Sequence, residues 1–227
     1  EDQKLLKVFF DVDLQTKNYT RDIAYATMEC CSYRYNPYDK AKFEVNAHNW
    51  IDMSDEDYGI SLLNDCKYGH EVNEHKMILT LLKAPIKPDP KSDRGDHYFT
   101  YSLYPHAETW KKAKTLERGL EINHPLVPVD IKADGELGAD KSFITLASDS
   151  MTLEAVKKCE EEDAYIIRMV EKKGKSVDAS VKFFAPLTYA AECDLIERND
   201  VPVDFDGDTI SFHATPFEIK NYKVKIK

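Results

Sequence analysis

The sequence predicts an all-β protein made of antiparallel β-sandwiches with one short helix. Apolar residues alternate with polar ones in many short runs, and turn-forming residues separate these runs, which is typical of sandwiches. Hydrophobic residues make up 42% of the 227 residues and aromatic residues 11%, enough for a packed core. This composition excludes a wholly disordered chain.

The first half of the chain carries the longer strand patterns. Over residues 4–14, Leu6, Val8 and Phe10 alternate with Lys7 and Asp11, which predicts the first strand. Further strands are predicted over residues 23–29, 41–45, 59–64, 77–82 and 97–104. Residues 77–82 are apolar on both faces, so we expect that strand to lie inside a layered structure.

The helix is predicted over residues 106–120. There Trp110, Ala113, Leu116 and Leu120 recur at helical spacing, and Asn123 to Pro125 ends the pattern. A polar connection rich in Asp and Gly follows over residues 127–141. We therefore expect a larger sandwich over residues 1–141 and a smaller C-terminal sandwich over residues 142–227.

Shorter, closely spaced strands are predicted in the second half. Their ranges are 142–148, 151–156, 164–170, 177–184, 188–195, 209–212 and 217–226. In the last of these the apolar pattern changes phase between Ile219 and Tyr222, which predicts a β-bulge.

The charge balance excludes several classes of partner. The chain has 31 Lys and Arg against 41 Asp and Glu, so 31 − 41 gives −10, and a nucleic-acid partner is not expected. No apolar run approaches the roughly 18 residues of a membrane helix, so no membrane partner is expected. Five cysteines, an odd number, favour a reducing compartment such as the cytoplasm.

Three stretches imitate known catalytic or binding motifs, and each departs at a required position. Residues 70–75 resemble zinc protease patterns, but the second His is misplaced, and a polar hairpin loop is predicted instead. Gly174-Lys175-Ser176 resembles the end of a phosphate loop, yet Met169 stands where its first Gly belongs, so a hairpin turn is predicted. Residues 204–208 hint at a calcium loop, but no liganding Glu closes it, and Asp206-Gly207 predicts a turn.

Two segments combine residue types suited to sugars. Residues 62–70 run from a strand into a polar and aromatic loop, and residues 89–98 carry Asp89, Asp93 and Asp96 with Arg94 and His97. Carboxylates, an Arg and aromatic rings bind sugar hydroxyl pairs and apolar ring faces. From residue types alone, loops that merely close hairpins are an equal alternative.

Residues 41–106 are closely similar to the C-terminal region of glycoside hydrolase family 38 α-mannosidases of the bacterial and cytosolic type. The ordered elements are Lys42-Phe43-Glu44-Val45, Ala47-His48-Asn49-Trp50, Asp57-Tyr58-Gly59, Leu62 to Gly69, Leu79 to Leu82, Pro88-Asp89, Gly95 with His97, and Leu103-Tyr104-Pro105-His106. Weaker elements extend this resemblance to both ends, among them Asn123-His124-Pro125-Leu126 and Pro216-Phe217-Glu218-Ile219.

The resemblance implies a retaining, zinc-dependent α-mannosidase of which this chain is a non-catalytic part. In that family the zinc site and the Asp nucleophile lie upstream of the matched region, and no His here has an Asp two residues later. No catalytic residue, metal ligand or cofactor is therefore expected within this chain. The implied partners are the enzyme's own N-terminal catalytic domain and, through the whole enzyme, mannose-containing glycans.

The family resemblance also implies loops that help to shape the sugar pocket. The substrate-proximal candidates are Asn64, Asp65, Tyr68, Asp93, Arg94 and His97. Two alternatives stay open: a self-standing carbohydrate-binding module that uses the 89–97 loop, and a compact two-carboxylate glycosidase, for which the sequence offers acids but no way to pair them.

The abrupt start of the chain in a strand pattern suggests a large sandwich that lacks its first strand or strands. Residues 4–14 would then expose unpaired backbone groups along one strand edge. We therefore expect self-association through that edge.

Overall fold

A computed structural model describes residues 2–131, 135–138 and 140–227. The chain folds into two compact units that divide between Pro128 and Val129. The division falls within the predicted polar connection, of which residues 132–134 and 139 lie outside the described residues. No described helix has the length and apolar character needed to cross a membrane.

The first unit contains two antiparallel sheets. The strands are β1 (Leu5–Asp11), β2 (Asn18–Ile23), β3 (Ala26–Cys31), β4 (Val45–Asn46), β5 (Trp50–Ser54), β6 (Tyr58–Asn64), β7 (Gly69–Asn73), β8 (Lys76–Lys83) and β9 (Tyr101–Ala107), with the helices α1 (Pro37–Lys40) and α2 (Thr115–Asn123). One sheet has the strand order β1-β8-β7-β4 and the other β3-β2-β5-β6-β9.

Strands β5 and β6 are buried on both faces because each face meets a different apolar layer. Alternate residues such as Ile51 and Leu62 join Met77 and Leu79 of β8 in the core between the sheets. The residues between them face the other way, where Trp50 and Leu63 pack with Trp110 and with Leu116 of α2. The helix thus covers the outer face of the five-stranded sheet.

The second unit is a smaller sandwich of two sheets. Its strands are β10 (Ile144–Leu146), β11 (Met151–Lys158), β12 (Tyr165–Glu171), β13 (Val177–Phe183), β14 (Leu187–Glu192), β15 (Val201–Pro202), β16 (Thr209–Ala214) and β17 (Ile219–Ile226). The three-stranded sheet has the order β10-β13-β16 and the five-stranded sheet the order β11-β12-β17-β14-β15. Val181 and Phe183 from the first sheet and Ile167, Met169 and Tyr222 from the second share one buried core.

The predicted all-β class is confirmed. The strand predicted at residues 77–82 is central in its sheet, since β8 lies between β1 and β7, but only the face of Met77, Leu79 and Leu81 is buried. The helix prediction was wrong at its start. Residues 106 and 107 still belong to β9, where Ala107 pairs with Tyr58, and α2 begins only at Thr115. A second short helix, α1, was not predicted; Asn36 caps it by accepting a hydrogen bond from the Asp39 N–H at 2.9 Å.

The predicted strand at residues 23–29 was also wrong, because a tight turn divides it. Strand β2 ends at Ile23 and pairs with Ala26 at the start of β3. Tyr25 in the turn has φ of +58°, a conformation that non-glycine residues seldom adopt. Because a tyrosine and not a glycine occupies this position, the sequence gives no sign of the turn.

The bulge predicted between Ile219 and Tyr222 is absent from the pairing of β17 with β12, which runs without a break from Ile219 to Val224. The change of phase arises instead from polar residues buried on the second face of β17. Asn221 donates to the Asp194 carbonyl at 2.8 Å, and the Lys223 ammonium lies 2.9 Å from Glu162 and 3.0 Å from Asp200.

Residues 172–176 form a bent connection, and the predicted hairpin turn was wrong, since β12 and β13 belong to different sheets. The buried Glu171 carboxylate shapes this connection. Its Oε1 accepts from the Lys173 N–H at 2.9 Å, and its Oε2 accepts from the N–H groups of Gly174, Lys175 and Phe217 at 2.8, 3.2 and 3.1 Å. The backbone donors that would make this loop resemble a phosphate site are thus occupied by the chain's own anion.

Candidate functional site

Asn64 ends β6 and shapes the loop that follows, residues 64–69. Its Oδ1 accepts hydrogen bonds from the N–H groups of Cys66 and Lys67 at 3.2 and 2.6 Å, a side-chain-to-backbone turn. Its Nδ2 donates to the His48 carbonyl at 3.0 Å. The side chain is buried, so the predicted candidate Asn64 positions the loop from within.

Distant residues fix the backbone at the same point. The Asn64 N–H donates to the Asn49 carbonyl at 3.0 Å, and the Asn64 carbonyl accepts from Asn123 Nδ2 at 3.0 Å. Asn49 is held in turn by Asp22 Oδ2, which accepts from its Nδ2 at 2.9 Å. Asn123 lies at the end of α2, 59 residues away in sequence. Asn49 and Asn123 were not among the predicted candidates. Only their place in the sequence elements that resemble family 38 could have identified them.

Asp65 is half-buried next to this anchor. Burial by itself would raise the pKa of its carboxyl, but hydrogen bonds from Cys66 and Thr100 outweigh burial and lower the pKa. Its Oδ1 is buried and has no hydrogen-bond partner in the part of the chain that the structure describes. Burial, with the hydrogen bond and charge of Asp65, raises the pKa of the Cys66 thiol. Asp65 is therefore a carboxylate at neutral pH, and Cys66 is a neutral thiol.

Tyr68 is the outward-facing member of the loop. Its side chain is 59% exposed, and its ring meets the His48 ring edge-on with 5.4 Å between centroids. The next His, His70, is buried, and burial lowers its pKa to about 4. His70 is therefore neutral. The polar hairpin loop predicted over residues 70–75 was wrong for most of its length, because residues 70–73 belong to strand β7 and only Glu74 and His75 form the turn of the β7–β8 hairpin.

Asp93, Arg94 and His97 lie on the exposed segment between β8 and β9. Asp93 has φ of +58°, and its carbonyl lies 2.9 Å from His97 Nε2, which closes a local turn. The Arg94 guanidinium lies 3.4 Å from the Asp2 carboxylate, an exposed ion pair. Exposed pairs of this kind contribute little to stability, so the Arg94 side chain can reorient toward a ligand.

The two candidate segments meet through Phe99 and Thr100. The Asp65 N–H donates to the Thr100 carbonyl at 3.1 Å, and the Lys67 ammonium lies 4.8 Å from the centre of the Phe99 ring. The predicted candidates thus form two groups, 64–68 and 93–97, on adjoining segments. Together they offer a carboxylate, a guanidinium and an exposed Tyr ring, which can hydrogen-bond hydroxyl groups and pack against an apolar ring face.

The described residues do not fit a zinc ion. Among them no three His, Cys, Asp or Glu side chains gather closely enough to hold a metal. His75, for example, lies 3.7 Å from Asp11 on an exposed surface, away from the buried His70. All five cysteines are free thiols.

Two family models match the sequence. Residues 1–91 match the glycosyl hydrolases family 38 C-terminal domain, and residues 150–222 match the family 38 C-terminal beta sandwich domain. The first match contains Asn64, Asp65 and Tyr68 and ends just before Asp93.

Nearly the whole chain is similar to known proteins. It is 30% identical to alpha-mannosidase 2C1 of Mus musculus over 226 residues, and this alignment covers 97% of this chain and 22% of that protein. It is 32% identical to alpha-mannosidase G of Dictyostelium discoideum over 232 residues, and this alignment covers 98% of this chain and 21% of that protein. The chain thus spans about a fifth of the length of these relatives.

The fold also matches a solved structure. The crystal structure of an alpha-mannosidase from Enterococcus faecalis V583 superposes with a TM-score of 0.79 at 17% sequence identity. The superposition covers 97% of this chain and 26% of that one. The two chains share an architecture across both units.

Proposed function

This chain belongs to the C-terminal region of the glycosyl hydrolases of family 38, and we propose that it is the non-catalytic part of a retaining, zinc-dependent α-mannosidase that removes terminal α-mannosyl residues. The observation that carries the proposal is the match of almost the whole chain to proteins named alpha-mannosidases, of which it spans about a fifth. In this proposal the zinc ion and the nucleophile belong to the rest of the enzyme. The placement of the zinc is supported by the described residues, among which no three His, Cys, Asp or Glu side chains gather closely enough to hold a metal. The proposed location is the cytoplasm.

The proposed role is to support the catalytic domain and to supply loops to its sugar pocket. The anchoring of the 64–69 loop by Asn49 and Asn123 supports this role, because a binding group must be held on a rigid base. Tyr68 then provides a ring face, and Arg94 provides donors for hydroxyl groups. Mannose-containing glycans are the proposed ligands of the complete enzyme.

The test is carried out in the full-length enzyme with an aryl α-mannoside as substrate. We expect Tyr68→Ala and Arg94→Met each to lower kcat/KM by about tenfold, which corresponds to about 1.4 kcal/mol. Tyr38→Ala is the matched control, since Tyr38 is 84% exposed on α1 and belongs to neither candidate segment. Unchanged kinetics in both candidate variants would show that these loops do not contribute to the sugar pocket.

The 227-residue chain provides a second test. We expect it to show no hydrolysis of the aryl α-mannoside with or without added zinc, because the nucleophile is proposed to lie elsewhere. Turnover by the purified chain would contradict the proposal. Tight glycan binding by the chain alone, lost in Arg94→Met, would favour the self-standing carbohydrate-binding module instead.

A further inference from the structure

We propose that the first unit carries a saccharide-binding groove separate from the two candidate segments, and that this groove takes a neutral ligand of one or two sugar rings. The groove has a volume of about 560 Å³ and lies between β2 and β3 on one side and β4 and β7 on the other. We call it the β3–β4 groove, after the edge strands of the two sheets that border it. Sites for small ligands typically measure about 300–1,000 Å³.

The groove is lined by hydrogen-bonding groups that are held in place. Arg21 crosses from β2 to β4, where its guanidinium donates to the Asn46 Oδ1 at 2.7 Å and to the Asn46 carbonyl. Arg34 is paired with Glu71 of β7. Planar groups fixed in this way offer donors and acceptors at set spacings, as neighbouring sugar hydroxyls require.

The charges in and beside the groove balance each other. Ion pairs join Arg34 to Glu71 and Lys42 to Asp39, the latter at 3.2 Å. Lys7, beside the groove, lies 3.1 Å from Glu44 and 3.2 Å from Glu71. Arg21 and Glu29 add one charge of each sign to the lining. An anion or a cation would meet as much repulsion as attraction here, whereas neutral hydroxyl groups can bond to both kinds of partner.

Tyr33 supplies an aromatic surface at the same place. It lines the groove, is half-buried, and stacks on Tyr35 with 5.7 Å between ring centroids and 24° between planes. A ring held by such a stack can pack against the apolar face of a sugar at little cost in conformational freedom. The groove therefore combines an aromatic face with balanced polar groups.

The experiment is an NMR titration of the isotope-labelled 227-residue chain with methyl α-D-mannopyranoside and with an α-linked mannobiose. The choice of mannose rests on the proposed function, whereas the choice of a neutral sugar rests on the groove. We expect amide shifts centred on residues 19–34 and 42–46, with a Kd on the order of 1 mM for the monosaccharide. Inorganic phosphate at the same concentrations should leave these amides unmoved.

Two variants connect the binding to the groove. Tyr33→Ala removes the ring, and Glu44→Gln keeps an acceptor for Thr80 while it removes a charge. Each should weaken mannobiose binding by about tenfold, whereas Tyr165→Ala, which removes an exposed ring from the second unit, should leave it unchanged. Spectra of the free variants report whether they remain folded.

The proposal is overturned if neither sugar shifts the groove amides, if the shifts map to residues 64–69 or 93–97, if phosphate binds in the sugar's place, or if neither variant weakens binding. These outcomes are independent of the proposed function, which is tested by hydrolysis in the full-length enzyme. If the full-length enzyme did not hydrolyse the aryl α-mannoside while the sugars still shifted the groove amides, only the proposed function would be overturned.

Discussion

Asp52 and His106 form a buried ion pair beneath α2. Their side chains are 1% and 2% exposed, and His106 Nε2 lies 2.8 Å from Asp52 Oδ2. The other ring nitrogen, Nδ1, lies 3.1 Å from the Glu108 carbonyl, so both nitrogens face acceptors. Burial alone would lower the pKa of His106, but the hydrogen bond and charge of Asp52 outweigh burial and raise it. The folded chain therefore holds the proton on His106 more strongly than the unfolded chain does.

The raised pKa of His106 makes the stability of the first unit depend on pH. The free energy of unfolding that this proton contributes is fully present below the unfolded pKa of about 6.5, and it is lost as the pH rises through the higher folded pKa. We expect His106→Gln to cost about 3 kcal/mol at pH 6, because it leaves Asp52 buried without a counter-charge. The difference between wild type and variant should shrink toward pH 9.5. Urea unfolding at both pH values measures it.

His213 provides the matched control for that experiment. It also lies 2.8 Å from a carboxylate, that of Asp178, but the two side chains are 58% and 93% exposed. Water screens such a pair, so His213→Gln should change stability little at either pH. A difference for His106→Gln that stayed constant with pH would show that its imidazole is not charged in the fold.

At the scale of elements, helix α2 ties the outer face of the five-stranded sheet to the 64–69 loop. At its start, the Thr115 hydroxyl lies 2.8 Å from Ser61, whose hydroxyl donates to Asp52 at 2.6 Å. At its end, Asn123 holds the Asn64 carbonyl. The helix packs closely enough for this only because Gly119 sits against Trp50: a Cβ at that position would come 2.7 Å from Trp50 Cδ1.

Gly119→Ala should therefore destabilise the first unit. Alanine favours a helix over glycine by about 1 kcal/mol, but forcing α2 away from the buried Trp50 should cost more, about 1–3 kcal/mol net. Thermal unfolding monitored by circular dichroism measures the change. Glu121→Ala, at an exposed position of the same helix, is the control and should shift stability by less than about 0.5 kcal/mol. A stabilised Gly119→Ala variant would refute the close contact.

The elements that could be predicted from sequence are those whose signal is local. The predicted ranges 59–64, 77–82 and 177–184 each agree with β6, β8 and β13 to about one residue, because alternating or continuous apolar residues mark buried strands. The turn at Tyr25 and the late start of α2 were not predicted. Both the positive φ of Tyr25 and the extension of β9 to Ala107 depend on strand pairing in the folded chain, which no local pattern reveals. Asn64 and Tyr68 were found as candidates, but the hold of Asn123 on Asn64 spans 59 residues and leaves no local pattern.

At the scale of the whole molecule, β1 lies at the edge of its sheet and pairs with β8. Leu5, Leu6 and Phe9 are 50%, 54% and 61% exposed along it. An exposed apolar edge of this kind is a template for pairing with another chain. The self-association predicted from the sequence stays a prediction, and the structure supplies the surface on which to test it.

Phe9→Glu should reduce self-association of the 227-residue chain, because two copies paired along β1 would bring buried like charges together. Sedimentation velocity over a range of concentrations measures the change in mass. Tyr38→Glu adds the same charge at a more exposed aromatic residue and should leave the association unchanged. A wild-type chain that stays monomeric at high concentration would contradict the prediction.

The two units have separate cores, one around Met77 and Leu79 and the other around Phe183 and Tyr222. Cooperative unfolding requires that a perturbation in one part of a core be felt throughout it, and a chain with two cores need not satisfy the two-state condition. In calorimetry, the van't Hoff enthalpy of such a chain falls below its calorimetric enthalpy. A midpoint assigned to the whole chain would then average two melting events, and the effects of His106 and Gly119 belong to only one of them.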